Sequence, residues 1–245
     1  MATKSKIDWT ESSWNPITGC TKVSPGCMNC YAEKLAIRLK AMGQRNYRNG
    51  FKLTLQEHML DIPLKTKKPT TFFVNSMSDL FHKDIPVEFV KKVFDVMNRA
   101  SWHEFQILTK REDVLAERMN LFEWTDNIWM GVTIEHNDYA HRADVLRICD
   151  AAIKFLSLEP LLSPLPDLNI NGLDWIVVGG ESGPGARPMN ADWVRPIRNL
   201  CIEKNTPFFF KQWGGVNKKK NGYILDEREW REYPERPIRQ MPKAL

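Results

Sequence analysis

Three cysteines, Cys20, Cys27 and Cys30, fall within eleven residues of one another, while the other two of the five, Cys149 and Cys201, stand alone. The spacing Cys20-x6-Cys27-x2-Cys30 occurs in a loop with Pro25 and Gly26, just ahead of a helical pattern. A C-x2-C pair lets two thiolates converge on one metal centre, and a third can reach over from upstream. A structural zinc site would need a fourth ligand, because such sites are closed and tetrahedral. The nearest following candidate, His58, is 28 residues beyond Cys30. Three ordinary core thiols are a second option, since free cysteine is often buried. The third is a [4Fe–4S] cluster: it usually takes four cysteines, so three would leave one iron open to a substrate or cofactor. This reading accounts for the missing ligand and is the one favoured.

Such a loop needs a scaffold, and the rest of the chain supplies one. Six short apolar runs read as strands: Thr71-Phe72-Phe73-Val74, Phe105-Gln106-Ile107-Leu108, Ile128-Trp129-Met130-Gly131-Val132, Ile153-Lys154-Phe155-Leu156, Trp175-Ile176-Val177-Val178 and Pro207-Phe208-Phe209-Phe210. Most are near-continuous rather than alternating, as expected of parallel strands covered on both faces. Helical patterns lie between them. Asp84 reads as an N-cap with Pro86 in the first turn and Val87, Val90, Phe94 and Met97 on one stripe. Asn137 reads as the cap of a helix burying Ala140, Ala143, Leu146 and Ile148. Trp193, Val194, Ile197, Leu200 and Cys201 form a third stripe, with Pro196 in its first turns. After the cysteines, Tyr31, Leu35, Leu39 and Met42 make a stripe that stops at Gly43. The pattern predicts an α/β fold, a complete or partial parallel (β/α) barrel over residues 1–215. The 245 residues are close to the roughly 250 of such barrels. Residues 216–245 read as a polar extension packed on the barrel or trailing from it, with a hairpin turn at 218–222. Cys149 and Cys201 read as core.

In a parallel barrel, function collects at the C-terminal ends of the strands. Here those ends carry Asn75-Ser76-Met77-Ser78-Asp79, Thr109-Lys110-Arg111, Thr133-Ile134-Glu135, Ser157-Leu158-Glu159-Pro160, Gly179-Gly180-Glu181-Ser182-Gly183 and Lys211-Gln212-Trp213-Gly214-Gly215. Any one of these residues is equally well an ordinary polar loop residue. Together, Glu135, Glu159 and Glu181 suggest a lined cavity. Gly179-Gly180 lacks the G-x-G-x-x-G pattern and is weak as a nucleotide signal. Trp9, Trp14 and Trp213 fall near the expected mouth, where they could stack on an adenine or a base; Trp129, Trp175 and Trp193 fit core packing. His82 could reach the cavity or cap a surface turn.

With 35 Lys+Arg against 30 Asp+Glu, the net charge is +5; 42% of residues are hydrophobic and 27% charged. That composition argues for a globular chain and against disorder. No apolar run approaches the ~20 residues of a bilayer span. The first residues lead into Asp8 and Glu11 rather than an apolar stretch, so neither a secretory signal nor a membrane is expected, and the cytoplasm is. The mild charge is compatible with a polyanionic partner without implying one. Lys65, Lys67, Lys68 and the run Lys218-Lys219-Lys220 are the sequence's hints of nucleic acid, although solvated faces explain them equally. No Ser–His–Asp set is apparent.

The loop Gly19-Cys20-Thr21-Lys22-Val23-Ser24-Pro25-Gly26-Cys27-Met28-Asn29-Cys30-Tyr31-Ala32-Glu33 resembles that of the phage-associated three-cysteine-motif proteins. So do Phe73-Val74-Asn75-Ser76-Met77-Ser78-Asp79-Leu80-Phe81-His82, Leu158-Glu159-Pro160-Leu161 and Gly179-Gly180-Glu181-Ser182-Gly183, a resemblance spanning roughly residues 7–215. More broadly the chain resembles the radical S-adenosylmethionine superfamily. The resemblance implies a [4Fe–4S] cluster on Cys20, Cys27 and Cys30, with S-adenosylmethionine chelating the open iron. It further implies an external electron donor and a 5′-deoxyadenosyl radical that abstracts hydrogen from a nucleobase, nucleotide or peptide. The chain departs from the superfamily pattern in three places. Six residues, not three, separate the first two cysteines; Asn29 rather than an aromatic residue precedes the last; and the Gly-Gly-Glu segment is on a late strand. At the early strand end, Ser76 or Asp79 could accept from the cofactor ammonium. Glu135 or Glu159 could bind ribose, with Gly180 and Glu181 completing the cofactor site. Lys211, Gln212 and Trp213 are candidates to face substrate. A non-catalytic iron–sulfur or zinc module with a nucleic-acid or protein partner is the alternative.

Overall fold

Runs that are apolar on both faces assemble into one sheet in the computed structural model, which describes residues 3–5 and 7–235. The strands are β1 (Thr3–Lys4), β2 (Ser12–Trp14), β3 (Thr71–Val74), β4 (Glu104–Thr109), β5 (Ile128–Thr133), β6 (Ile153–Leu158), β7 (Trp175–Gly179) and β8 (Phe208–Gln212). They pair in sequence order; β2 to β8 are seven parallel strands, and β1 adds antiparallel to β2. The barrel is therefore partial. Helices α1 (Tyr31–Ala41), α2 (Val87–Arg99), α3 (Glu112–Arg118) and α4 (Arg142–Arg147) alternate with strands β2 to β6, β6 runs to β7 through a loop, and α5 (Ala191–Lys204) lies between β7 and β8.

Alternation along each strand sorts the side chains into two cores. Phe72, Val74, Phe105, Ile107, Met130, Leu156, Ile176, Phe208 and Phe210 belong to the larger cluster that also takes in the buried faces of α2 and α5. Trp9, Phe73, Trp129, Phe155, Trp175, Val177 and Phe209 fill the lumen. Trp9 meets both Phe73 on β3 and Trp175 on β7, with ring centroids 5.1 and 5.7 Å apart. Strands four places apart can share a ring only if the sheet curls, so the sheet is a half-barrel.

The six predicted strands are present. Ser12-Ser13-Trp14 was not foreseen, being three residues long and polar. Several local expectations are corrected. Helix α2 begins at Val87 with Pro86 as its N-cap. Asn137 opens a 3-10 turn, Asn137–Tyr139, and α4 starts only at Arg142. Helix α1 buries Ala32 and Ala36, leaving Tyr31, Leu35 and Met42 of the predicted stripe exposed. Lys218–Asn221 is a helical turn. The hairpin turn lies instead at Asp226 and Glu227, with φ of 51° and 63°, joining Ile224–Leu225 to Arg228–Glu229. Beyond it, Phe210 N–H donates to Trp230 O at 2.8 Å and Glu232 N–H to Phe208 O at 3.1 Å, along the outer side of β8. The side chains of Lys218 and Lys219, and residues 236–245 of the predicted extension, lie outside the described residues. Among the described residues, no helix is long and apolar enough to cross a membrane.

Candidate functional site

The cysteine loop is anchored by backbone first. Gly19 donates its N–H to Met77 O at 3.0 Å and Cys20 to Phe51 O at 3.3 Å. Gly19 has φ +83°, and a Cβ there would sit 2.2 Å from Lys52 O, so only glycine lets the chain pass. Cys27 ends a 3-10 turn, Pro25–Cys27, and Cys30 is the N-cap of α1. All three thiols are free and partly exposed.

Three of the strand-end carboxylates, Asp79, Glu135 and Glu181, hold this loop, and Glu181 also lines a cavity. Buried Asp79 accepts from Thr109 Oγ1 at 2.8 Å, Phe81 N at 3.0 Å and Lys110 N at 3.2 Å. Beside it, Arg111 donates to Thr21 O and Thr21 Oγ1, both at 2.9 Å, and reaches Cys20 Sγ at 3.7 Å. His82, 1% exposed, completes the group. Its Nδ1 accepts from Asp84 N–H at 3.2 Å, so the neutral ring carries its proton on Nε2 and donates to Thr21 Oγ1 at 2.8 Å. Burial, reinforced by Arg111, lowers the His82 pKa and favours that neutral form. Glu135 is fully buried; it accepts from Arg142 Nη1 at 3.0 Å and from Gly26 N–H at 3.3 Å. Glu181 accepts from Asn29 Nδ2 at 3.0 Å and from Arg187 Nη2 at 2.6 Å, and Arg187 also donates to Pro25 O at 3.0 Å. Burial pushes the Glu181 carboxyl up, but the hydrogen bonds from Arg187 and Asn29 outweigh it and hold it at about 2.

A cavity of about 380 Å³ lies between the loop and the lumen. Gly26, Asn29, Cys30 and Tyr31 line it on the loop side, and Ile7, Trp9 and Phe73 on the apolar side. Glu159, Gly180, Glu181, Lys211 and Gln212 line its polar end. The pairing of β8 with β7 slips between Phe210 and Gln212. This bulge lets consecutive residues work on one side, where a regular strand would split them. Lys211 Nζ reaches both Glu159 oxygens at 2.8 Å, and Gln212 Nε2 reaches Oε1 at 2.9 Å. Gly180 allows the two loops to touch, since a Cβ would meet Trp213 O at 2.1 Å.

The predicted residues thus divide. Cys30, Glu159, Gly180, Glu181, Lys211 and Gln212 share the cavity wall. Ser76 lines an adjoining hollow, donating to Asn15 Oδ1 at 3.2 Å. Asp79 and Glu135 lie beneath the loop, and Trp213 turns outward to donate to Ile224 O at 2.8 Å. Trp14 is fully buried in the outer core, so of the three candidate stacking tryptophans only Trp9 lines the cavity. Cys149 and Cys201 are buried, and burial raises their thiols to about 11 and about 12. Arg111 was foreseen only as one member of the strand-end ring, and Asn29, Arg142 and Arg187 were not foreseen as anchors of the loop. Asn29 had its place in the cysteine loop as a signal; Arg142 and Arg187 stand nine and eight residues past their strands and had none.

Among the described residues, no three His, Cys, Asp or Glu side chains gather closely enough to hold a single metal ion. A cubic cluster spreads its thiolates over separate irons, so its ligands need not converge on one point. Three soft thiols and no further donor therefore suit iron–sulfur better than zinc. Burial, with Asp79 nearby, pushes the Cys20 thiol up to about 11 against the pull of Arg111, so ligation there must displace a proton. The cavity wall also fits a polar ligand. Gln212 Oε1 and Trp9 Nε1 are buried with no hydrogen-bond partner, one acceptor and one donor in residues that line it.

Over residues 4–234 the chain belongs to the family described as "Protein of unknown function (DUF5131)". No curated protein matches its sequence. Its fold is similar to solved structures of spore photoproduct lyase. The complex of that enzyme with dinucleoside spore photoproduct superposes with a TM-score of 0.50 and 14% identity, over 81% of this chain. A double mutant of the same enzyme, with bound AdoMet and dinucleoside spore photoproduct, gives 0.48 and 13%, also over 81% of this chain. In both cases the chain spans 63% of the other protein's length. The likeness is one of fold: a curled half-barrel of parallel strands with helices.

Proposed function

We propose that this chain is a radical S-adenosylmethionine enzyme, with a [4Fe–4S] cluster on Cys20, Cys27 and Cys30 and the cofactor in the cavity beneath them. The observation that carries this reading is a three-thiol loop, without a fourth donor, fastened over a cavity whose far wall is polar. Held by Cys20, Cys27 and Cys30, a cluster would supply single-electron reduction of bound S-adenosylmethionine, and with it the capacity to abstract a hydrogen atom from substrate. The chain's own residues orient and exclude. Glu159, held by Lys211 and Gln212, is the carboxylate placed to accept from ribose hydroxyls. Gln212 Oε1 is the acceptor for the cofactor ammonium. Asp79, Glu135 and Glu181 act as positioning residues for the loop. The aromatic lumen closes the cavity from below and excludes water that would quench a radical. The reaction draws its electron from an external donor in a reducing, cytoplasmic setting, and residues 1–215 form the catalytic domain, with 216–245 as its extension.

Anaerobic reconstitution tests this. About four irons and four sulfides per chain are expected, lost in Cys27→Ala, together with 5′-deoxyadenosine after reduction in the presence of S-adenosylmethionine. A Cys27→Ala protein that keeps an unchanged cluster spectrum, or a loaded wild type that yields no 5′-deoxyadenosine, would overturn it.

A further inference from the structure

A second hollow, of about 730 Å³, adjoins the cavity described above, and Ile7 and Tyr31 line both. Its walls combine one side of α1 (exposed Tyr31 and Leu35 with half-buried Leu39) with Arg45 and Tyr47 from the turn that follows. Asn15, Gln44, Asn46 and Ser76 supply amide and hydroxyl groups around it. The Tyr31 hydroxyl is fixed on Ser76 O at 2.6 Å while its side of the helix stays open to solvent. Tyr47 packs half-buried against the small cluster of Ala32, Ala36 and Met77.

The surroundings of this hollow are basic. Residues 34–56 carry Lys34, Arg38, Lys40, Arg45, Arg48 and Lys52 and no acid, which leaves 29 cations against 30 acids in the rest of the chain. The net positive charge of the protein therefore comes from this one stretch. Lys34 donates to Pro184 O at 3.0 Å. The other five are exposed, and none has an acidic partner among the described residues. The stretch folds as a unit: Gln44 N–H donates to Leu39 O at 3.0 Å, and Gly50 N–H to Tyr47 O at 2.8 Å.

Unpaired cations attract phosphates and release their counterions. Tyrosine faces offer stacking to any base, and amides can meet its edge. An acidic peptide or a lipid headgroup would use the charge but not a hollow with aromatic walls and an amide rim. A base can enter only once it is out of its stack, so the occupant is single-stranded there. We infer that α1 and the turn after it bind a single nucleic-acid strand, with phosphates on Arg38, Arg45, Arg48 and Lys52 and one base in the Tyr31–Tyr47 hollow. This names a substrate class for the enzyme proposed above, and it rests on that reading for the step from binding to reaction.

Fluorescence anisotropy of the anaerobic holoprotein with labelled DNA and RNA strands of about 12 nucleotides, a length within the site sizes of such grooves, tests the surface directly. Arg45→Glu with Arg48→Glu should weaken binding at least about tenfold and flatten the slope of log K against log salt by about 1.4, two phosphate contacts' worth. Tyr47→Ala should weaken it about tenfold for a normal strand and leave an abasic strand unaffected. Lys67→Glu with Lys68→Glu, the same charge change near the N-terminal end of β3, should leave binding as it is. If the paired reversal fails to fold, judged by melting and iron content, Arg45→Gln with Arg48→Gln reads the same slope. Unchanged affinity in the Arg variants, or polyglutamate or abasic strands competing as well as normal ones, overturns the inference. Measuring strand binding and cofactor cleavage side by side on the wild type separates the two readings. Strand binding that persists without 5′-deoxyadenosine chemistry in the wild type sinks the enzyme and keeps the surface. Cofactor cleavage with no strand binding does the reverse.

Discussion

The two ends of the half-barrel are held together by different physics. At the closed end Trp9, Phe73, Trp129, Phe155, Trp175 and Phe209 pack mainly edge to face, with centroids between 5.1 and 6.1 Å apart. Shape and burial do most of that work, with Arg231 over the Phe209 ring at 5.1 Å adding a cation–π contact at the rim. At the open end the cysteine loop has few apolar contacts. It is tied down by Arg111 on Thr21, Glu135 on Gly26, Glu181 on Asn29 and Arg187 on Pro25. Packing of the first kind resists a change in any direction. Bonds of the second kind are directional, can be exchanged one at a time and respond to protons, which would suit the loop proposed above to take up a cluster after the chain has folded.

The contrast can be broken or sharpened by substitution. Phe155→Ala should cost about 3–5 kcal/mol of global stability by denaturant unfolding, the largest effect expected. A cost below that of any loop-anchor variant would reverse the comparison. Arg111→Leu should follow, at about 3 kcal/mol, because it strands buried Asp79; iron retention should fall along with stability. Arg187→Ala should cost about 1–3 kcal/mol, read best as faster amide exchange in residues 24–30 with the lumen strands unaffected. Acid should do the same without mutation. The Glu181 carboxyl is depressed from an ordinary 4.5 to about 2, so its contribution is complete above pH 4.5 and is lost as pH falls from there towards 2. Protection of the loop amides relative to their intrinsic exchange should fall across that window in the wild type, and Glu181→Gln should abolish the dependence. Lys34→Met, which removes an exposed bond to Pro184 O, should stay within about 0.5 kcal/mol.

The sheet was legible because parallel strands buried on both faces have to be apolar throughout, so Thr71–Val74 and its successors announce themselves. Ser12–Trp14 escaped because a three-residue strand near the sheet edge is held by backbone pairing, which side-chain type does not report. That the three cysteines share one loop ahead of α1 was legible from spacing alone. The carboxylates were legible only as a ring. Sequence places Glu135, Glu159 and Glu181 at strand ends, but which way each turns depends on where the loop lands, and the loop lands on two of them. The bulge at Lys211 was invisible for the same reason, since it sets direction without changing composition. Helix α1 shows the limit of periodicity: a stripe of Tyr31, Leu35 and Leu39 spaced for a core instead faces a hollow.

An incompletely closed barrel has two loose margins, each a row of backbone groups ready to recruit a foreign strand. Here both margins are short of such groups. On one side Lys4 and its neighbour make a two-residue antiparallel cover over β2. On the other, the stretch around Trp230 and Glu232 runs back along β8 and takes up its outward bonds. The gap between the margins can thus stay open to something as large as a polymer without becoming a seed for self-association.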